Sequence, residues 1–495
     1  MLTFNDLKEK ISYLSSSDQK LVEKAYFFAE KYHSGQKRNT GENYIQHPLH
    51  TAIDIAKLKM DAQTISAALL HDLCEDTLCD MAKIRKEFGR EIANLVDGVT
   101  KLGKIRITKR WLFVVEKEDL PEFDRQVETL RKMFLAMARD IRIVIIKLYD
   151  RLHNMQTIEG IPEDKRLRMS KETIEIYGPL AYRLGMGELK GQLEDLAFPY
   201  VYPKEYKDLK ERVKKKLTTK EQYIEKLKKT LYKKLYKEGI KPEIHGRTKH
   251  MYSLFLKLKR YDNDLERIYD LVALRIIVDT VEDCYKTLGI IHRMWKPLVG
   301  RIKDYIAMPK PNGYTSIHTT VFAAGGEIVE IQIRTKEMHQ QAEYGIAAGW
   351  NYSEKKGTLD YIKRIASRTP HKELVWIQEL ARWQKAQNDN KAIVKEMGMD
   401  FFSRRIFVYT PTGDVEDLPV GATPIDFAYA IHTDLGNHTG GAKVNNKMVD
   451  FAYQLQSGDI VEIIKKKNAS PKPDWLEFAK TSLARGKIKS AIKKK

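Results

Sequence analysis

The sequence predicts a multidomain α+β chain, and three observations carry that reading. Residues 1 to about 200 show amphipathic helical patterns broken by short polar stretches, with almost no strand signal. After Gly239-Ile240-Lys241-Pro242 apolar strand runs take over, which predicts an α+β part with a mixed sheet. From Arg404 onward, short strands and one capped helix predict a small third part. A chain of 495 residues has room for about three or four domains.

Composition narrows the setting. A hydrophobic fraction of 42% supplies real cores, and a formal charge of +20 points to polyanions such as nucleotides, RNA or an anionic membrane surface. Cys74, Cys79 and Cys284 include no CxxC pair and make no disulfide framework, which fits a reducing cytosol. With no signal peptide and no apolar run long enough to span a bilayer, a soluble cytoplasmic protein without a membrane partner is expected.

In the first part, residues 1–200, Thr64–Leu73 reads as a buried helix of good helix formers that contains His71 and Asp72. Neighbouring helical residues project about 100° apart, so both reach one ion beside the helix. A second helix, Ile141–Met155, has Ile141, Val144, Ile145, Leu148, Leu152 and Met155 on an apolar stripe and Asp150, Asn154 and Thr157 on a polar one. Together with His47 these offer imidazole nitrogen and carboxylate oxygen, a donor set for manganese, iron or zinc. A lone His-Asp pair is a common accident, and a hydrogen-bonded core pair looks the same. Glu75-Asp76, one turn further on, strengthens the site reading, because so many ionisable groups are costly to bury without a metal or substrate.

Residues 201–245 form a lysine-rich connector, read as exposed helix; a solvated spacer and an RNA-contacting surface both remain open. In residues 246–395, Leu271–Val278 is a buried strand, and Thr319–Phe322 with Ile328–Arg334 form a hairpin around Gly325-Gly326. Gly246-Arg247-Thr248-Lys249-His250 is expected to open a helix whose Lys249, Ser253 and Lys257 share a face and seat a triphosphate. This is not a Walker A motif, and alone it is a weak signal. Glu330, Gln332 and Arg334 alternate with core-facing Val329, Ile331 and Ile333, as on any half-exposed strand. Asp270 and Glu330 meet the needs of a magnesium ion if they converge. In the turn Pro309–Tyr314, Lys310 can meet phosphates and Tyr314 can stack on a purine.

Residues 404–466 hold strand Arg405–Tyr409, turn Pro411-Thr412-Gly413, a helix capped by Thr423-Pro424, turn Val444–Lys447 and closing strand Asp459–Ile464, a β-grasp pattern. Residues from Pro471 are too few for another core.

The stretches Gly35–Arg38, Tyr44–Leu49, Ala67–Thr77, Asp150–Met155, Gly246–His250, Lys303–Tyr314 and Glu330–Thr335 resemble the long bifunctional RelA/SpoT homologues, which make and degrade the alarmone (p)ppGpp. The resemblance runs from about His33 to Lys487. It implies an HD-type hydrolase domain whose Mn2+ is held by His47, His71, Asp72 and Asp150. Glu75 and Asp76 would act on the attacking water, Arg38 would pack on guanine, and Asn154 and Thr157 would hold the nucleotide. It implies a synthetase domain, transferring pyrophosphate from ATP to GDP or GTP, with Mg2+ on Asp270 and Glu330 and a proton-accepting role for Glu330. There Arg247 and Arg275 would sandwich adenine, while Lys249, Ser253, Lys257 and Lys310 would grip phosphates. Tyr314 would stack on guanine, and Lys303 and Gln332 complete the substrate-binding set. The β-grasp part resembles a TGS domain, with His432 as the contact for uncharged tRNA, on or off the ribosome.

Arg301-Ile302-Lys303-Asp304 resembles the basic motif of bifunctional members, so both activities are expected. Gly349 and Tyr149 depart from the family pattern, which touches rate or regulation rather than the ligands. Residues 467–495 are expected to open a helical region cut short at Lys495. A tRNA- or ribosome-binding sensor with one catalytic half silent is the alternative of another class.

Overall fold

The computed structural model describes residues 1–103, 107–108, 114–115, 136, 139–259, 261–265, 268, 272–310, 312–348, 405–466 and 468–493. Gly349, the remainder of the expected 246–395 part and Asp270 lie outside the described residues. Two compact units divide the chain: Met1–Asp304 with Asn312–Lys385, and Tyr305–Pro311 with Ala386–Lys495.

The first unit begins with α1 (Phe4–Lys10), α2 (Ser16–Tyr32), α3 (Gln46–Lys57), α4 (Ala62–Leu70), α5 (Leu73–Asp76) and α6 (Met81–Gly103), the last broken at Gly89 by a φ of +84°. Strands β1 (Ile107–Thr108) and β2 (Val114–Val115) pair antiparallel. Helix α7 (Ile141–Gln156) then crosses the middle of the helical layer. The expected apolar stripe on α7 proves too narrow: Ile143, Ile146 and Tyr149 are buried as well, so every side of the helix is covered. A helix apolar all round belongs inside a core.

Buried Arg142 fixes how α4 and α7 lie together. It contacts Asp140, the cap of α7, at 2.6 Å, Asp61, the cap of α4, at 3.4 Å, and Glu91 of α6 at 2.8 Å. Three carboxylates around one guanidinium make its burial tolerable and pin both helix starts. The same two helices meet again further along, at His71 and Asp150.

Helices α8 (Glu163–Glu172), α9 (Gly178–Arg183) and α10 (Gly187–Val201) lead into α11 (Pro203–Lys237). The expected connector is thus one long helix, and it is not merely solvated: Leu209, Val213, Ile224, Leu227, Leu231 and Leu235 are buried. Its expected end at 245 is also too late, because β3 (Glu243–Thr248) is already a sheet strand.

A five-stranded sheet follows, in the order β3-β4-β7-β6-β5, built with β4 (Val272–Val278), β5 (Lys303–Asp304), β6 (Ile317–Phe322) and β7 (Ile328–Thr335). Strands β4 and β7 are parallel and the other pairs antiparallel, so the sheet is mixed as expected. Gly325 and Gly326, both at positive φ, turn β6 into β7. Helices α12 (Met251–Leu258), α13 (Val281–Met294) and α14 (Lys336–Tyr344) complete this half. Its tie to the helical half is close: Ile346 donates its backbone N–H to Leu184 O at 2.8 Å, and a Cβ on Gly345 would lie 2.0 Å from that oxygen.

In the second unit β8 (Arg405–Tyr409) pairs with β9 (Val415–Pro419), followed by α15 (Pro424–Ile431) and α16 (Thr433–Asn437). Strands β10 (Thr439–Val444), β11 (Lys447–Val449) and β12 (Val461–Lys465) form an antiparallel sheet, joined to β8 by a parallel bridge from Tyr409 to Ile460. Asn445 and Asn446 take positive φ at the tight turn, as Asn does most readily after Gly. The tail, expected to be helical and too short for another core, is helical and joins the core of this unit. Helices α17 (Trp475–Phe478) and α18 (Ser482–Lys493) bury Trp475, Ala479, Ala484 and Ile488 against Ile425 and Tyr429 of α15. The missed signal was the apolar spacing of Trp475, Ala484 and Ile488, which needed a partner face to be legible. Among the described residues no helix is long and apolar enough to cross a membrane.

Candidate active sites

His71 and Asp72 do not lie inside one helix. Helix α4 stops at Leu70, and the pair forms the joint to α5 with near-helical backbone angles. The His71 Nδ1 sits 2.7 Å from Ala68 O, which ends the helix and assigns that nitrogen as the donor. Its Nε2 is therefore the nitrogen left to meet a ligand, buried and with no hydrogen-bond partner among the described residues.

That nitrogen faces two carboxylates. His71 Nε2 lies 3.1 Å from Asp72 Oδ1 and 3.9 Å from Asp150 Oδ1; His47 Nε2 lies 3.2 Å from Asp150 Oδ1 and 3.3 Å from Asp72 Oδ2. Donor atoms of His47, His71 and Asp150 fall within 4.8 Å of one another. Two imidazole nitrogens and two carboxylates around one point suit a divalent metal.

The surroundings prepare these donors. Burial opposes charging His71, but Asp72 and Asp150 outweigh it and carry its pKa to about 9, so the same two carboxylates favour a positive charge at Nε2, and a cation binding there displaces a proton. Burial likewise works against the Asp150 carboxylate, yet Lys147, 2.6 Å from Oδ2, and the two histidines hold it ionised. Asn154 donates to Asp150 Oδ1 at 2.5 Å.

His153 was not singled out from sequence, although it lies in the same stretch as Asp150. Burial, together with His47, His50 and Arg38, pushes its pKa down to about 2, so it is neutral. Its Nδ1 is 2.9 Å from an Arg38 nitrogen that can only donate, so Nδ1 accepts. His47 Nδ1, 2.8 Å from the same atom, must then be protonated, which leaves His47 Nε2 free as a ligand. Tyr44 is the other residue missed: its hydroxyl is 2.5 Å from Asp76 Oδ2 and 3.1 Å from Asp72 Oδ2. Glu75 and Asp76 stand exposed at the mouth. Arg38 donates to Asn154 Oδ1 at 2.8 Å, and the Thr157 hydroxyl donates to His153 O at 2.9 Å at the end of α7.

The second cluster lies on one face of the mixed sheet. Register places Arg247 opposite Ala273, Ala273 opposite Glu330, Arg275 opposite Gln332 and Gln332 opposite His318, so these side chains share a face. Glu330 accepts from Gln332 at 3.0 Å and pairs with His318 at 3.1 Å. Burial would raise its pKa, but His318, Gln332 and Lys249 outweigh burial and set it at about 2. His318, absent from the sequence reading, also meets the Tyr314 hydroxyl at 2.8 Å. Arg247 reaches Gln332 at 3.5 Å.

The face is less exposed than its alternation suggested. Arg334 is 1% exposed, and burial drops its pKa to about 10. Glu343 contacts both Arg275, at 2.9 Å, and Arg334, at 3.4 Å, yet the Nε of each arginine is buried without an acceptor among the described residues. Lys249 precedes α12 rather than riding on it, because β3 runs through Thr248; only Ser253 and Lys257 are helical. Lys303, exposed, stands opposite His318 on β5. Lys310 belongs to the second unit, its ammonium 4.7 Å from the Tyr305 ring centre. In that unit His432 caps α16, its Nδ1 accepting from Asp434 N at 3.2 Å.

The HD domain family matches residues 25–187, the region found in RelA / SpoT proteins matches 246–357, and the TGS domain matches 406–465. A GTP pyrophosphokinase of Myxococcus xanthus is 44% identical over 97% of this chain and 61% of its own length. A guanosine-3′,5′-bis(diphosphate) 3′-pyrophosphohydrolase of Aquifex aeolicus is 44% identical over 99% of this chain and 67% of its length. The bifunctional (p)ppGpp synthase/hydrolase SpoT of Escherichia coli is 40% identical over 100% of this chain and 68% of its length. The chain therefore spans only about three fifths to two thirds of these relatives. With three domain matches in the same order and such identity along its whole length, the chain belongs to the RelA/SpoT family.

Proposed function

We propose that the chain is a bifunctional alarmone enzyme of the stringent response, acting in the cytoplasm. Its sheet half moves pyrophosphate from ATP to the 3′-hydroxyl of GDP or GTP, and its helical half hydrolyses the 3′-pyrophosphate of (p)ppGpp. The single observation that carries this is the presence in one chain of two unlike clusters: two imidazole Nε2 atoms facing Asp72 and Asp150, and, on the sheet, an ionised Glu330 near arginines whose Nε groups lack an acceptor among the described residues.

For hydrolysis, His47, His71, Asp72 and Asp150 would hold Mn2+, as their donor atoms and burial suit. When bound, such an ion lowers the pKa of its water and offsets charge on the departing pyrophosphate. Tyr44 orients the Asp72 and Asp76 carboxylates, and Glu75 and Asp76 at the mouth accept the proton of the attacking water. Arg38 packs on the guanine, while Asn154 and Thr157 hold the nucleotide.

For synthesis, the low pKa of Glu330 suits Mg2+, with Asp270 as its partner carboxylate. Glu330 also stands as acceptor for the proton of the attacking 3′-hydroxyl. Arg247 and Arg275 sandwich adenine, while Lys249, Ser253 and Lys257 bind phosphates. Tyr314 stacks on guanine, with Lys303 and Gln332 alongside; His318 holds both Tyr314 and Glu330 in place. His432 in the TGS part would contact uncharged tRNA at the ribosome.

The test is a pair of incubations followed by chromatography, one with ATP, GDP and Mg2+ and one with ppGpp and Mn2+. Product is expected in both. Product in neither, with steeply salt-dependent RNA binding, would select the sensor alternative.

A further inference from the structure

One side chain at the start of α12 is used by neither chemistry. His250 follows Lys249 and caps α12, the helix that carries Ser253 and Lys257. Its Nδ1 is 2.8 Å from Asp195 Oδ2 and its Nε2 is 3.6 Å from Glu188 Oε2, both on α10. Asp195 takes a second bond from Tyr252 N at 2.9 Å, so one carboxylate holds both the imidazole and the first turn of α12. The fit leaves no slack: a Cβ added to Gly191 would lie 2.2 Å from the His250 ring.

We propose that His250 is a positioning residue of the synthetase cluster: clasped by Asp195 and Glu188, it makes α10 a structural part of the seat for the ATP triphosphate. The inference rests on the synthetase reading above. The bend from β3 into α12 sets where Arg247, Lys249, Ser253 and Lys257 point, and α10 anchors it through Asp195, which holds both His250 and the Tyr252 N–H. The pair is held charged: burial would discharge His250, but Asp195 and Glu188 outweigh it, and the His250 contact brings Glu188 down to about 2. Hydrogen bonds to charged partners are directional, so losing them lets the bend relax rather than unfold.

The experiment measures equilibrium binding of α,β-methylene-ATP with Mg2+ by calorimetry, for the full chain and for His250→Ala, His250→Asn and Gly191→Ala, beside kinetics of synthesis and hydrolysis. His250→Asn keeps a donor near the Nδ1 position. The expected result is an ATP-analogue Kd raised about tenfold or more in His250→Ala and Gly191→Ala, the size expected for a lost charged hydrogen bond. His250→Asn should recover most of that affinity. The rate of ppGpp hydrolysis should stay within about twofold, since His250 and Gly191 are neither among the proposed ligands of that site nor among the residues proposed to hold its nucleotide. Unchanged analogue affinity in the Ala variants, or equal weakening of analogue binding and hydrolysis, overturns the proposal. A parent chain that binds the analogue but forms no product sinks the synthetase reading and leaves the brace standing; one that does not bind it sinks both.

Discussion

The guanidinium of Arg38 donates to Oδ1 of Asn154 across 2.8 Å, and Asn154 passes its own amide to Asp150, so a loop residue and a metal-facing carboxylate share one intermediary. Replacing Asn154 with Ala frees both neighbours. We expect the KM for ppGpp to rise at least about tenfold, with folding intact, because one hydrogen bond to each of two charged groups is lost. Steady-state hydrolysis kinetics check this, and an unchanged KM contradicts the role given to Asn154.

His153 stands behind His47, one of the proposed metal ligands. With His153→Phe, His47 Nδ1 loses its acceptor, and its tautomer is no longer fixed. Affinity for Mn2+ should fall about 10–100-fold, the usual cost of removing such a partner. Titrating metal-free protein with Mn2+ and following Tm reads this without any assay of turnover.

The two chemistries should separate cleanly. Glu330→Gln keeps the side-chain shape but removes the ionised oxygen paired with His318, so synthesis should drop by about 10³-fold or more while hydrolysis persists. His71→Ala should do the reverse. Loss of both activities from either change would mean that the sites are not independent.

Much of this was legible in advance, and the reasons for the exceptions are physical. That His47, His71 and Asp150 come together could be read because metal chemistry restricts residue types so strongly. His153, Tyr44 and His318 stayed hidden because their roles come from the atoms across from them, which no local pattern encodes. Strands β4, β6 and β7 followed from apolar runs and a Gly-Gly turn, whereas the place of Lys249 did not: lysine suits a helix, and sheet pairing with β4 decides instead that β3 runs through Thr248. Arg334 misled in the same way, because alternation marks which face a side chain takes but not what covers that face.

Alkaline pH offers a test of the α10 clasp. His250 has its pKa raised from 6.5 to about 9, so its contribution to stability is whole below pH 6.5 and is lost as pH rises through about 9. The charged groups around it are Glu188 and Asp195, with the Lys190–Glu194 pair and Arg247 nearby. The urea midpoint of the native chain should therefore decline between pH 6.5 and 9 more steeply than that of His250→Ala. Parallel profiles would show that the imidazole carries no such charge.

In the second unit Asp426, 1% exposed, accepts from Thr423, from Lys480 N and from Thr481 N and Oγ1. Asp426→Ala orphans these donors and should destabilise the unit by about 2–5 kcal/mol, releasing α17 and α18 first. Limited proteolysis should then cut between Lys480 and Lys493 well before the β-grasp strands. Protection equal to that of the parent chain would refute this.

Helix α7 is walled in on every side, and Asp150 is one of its residues. A carboxylate mounted on the central beam of a scaffold cannot wander while the scaffold stands, so loss of alarmone breakdown on heating should track loss of helical signal degree for degree. Such a design leaves little scope for tuning the proposed reaction by moving Asp150; adjustment has to come from Glu75, Asp76 and Arg38, which lie nearer the surface.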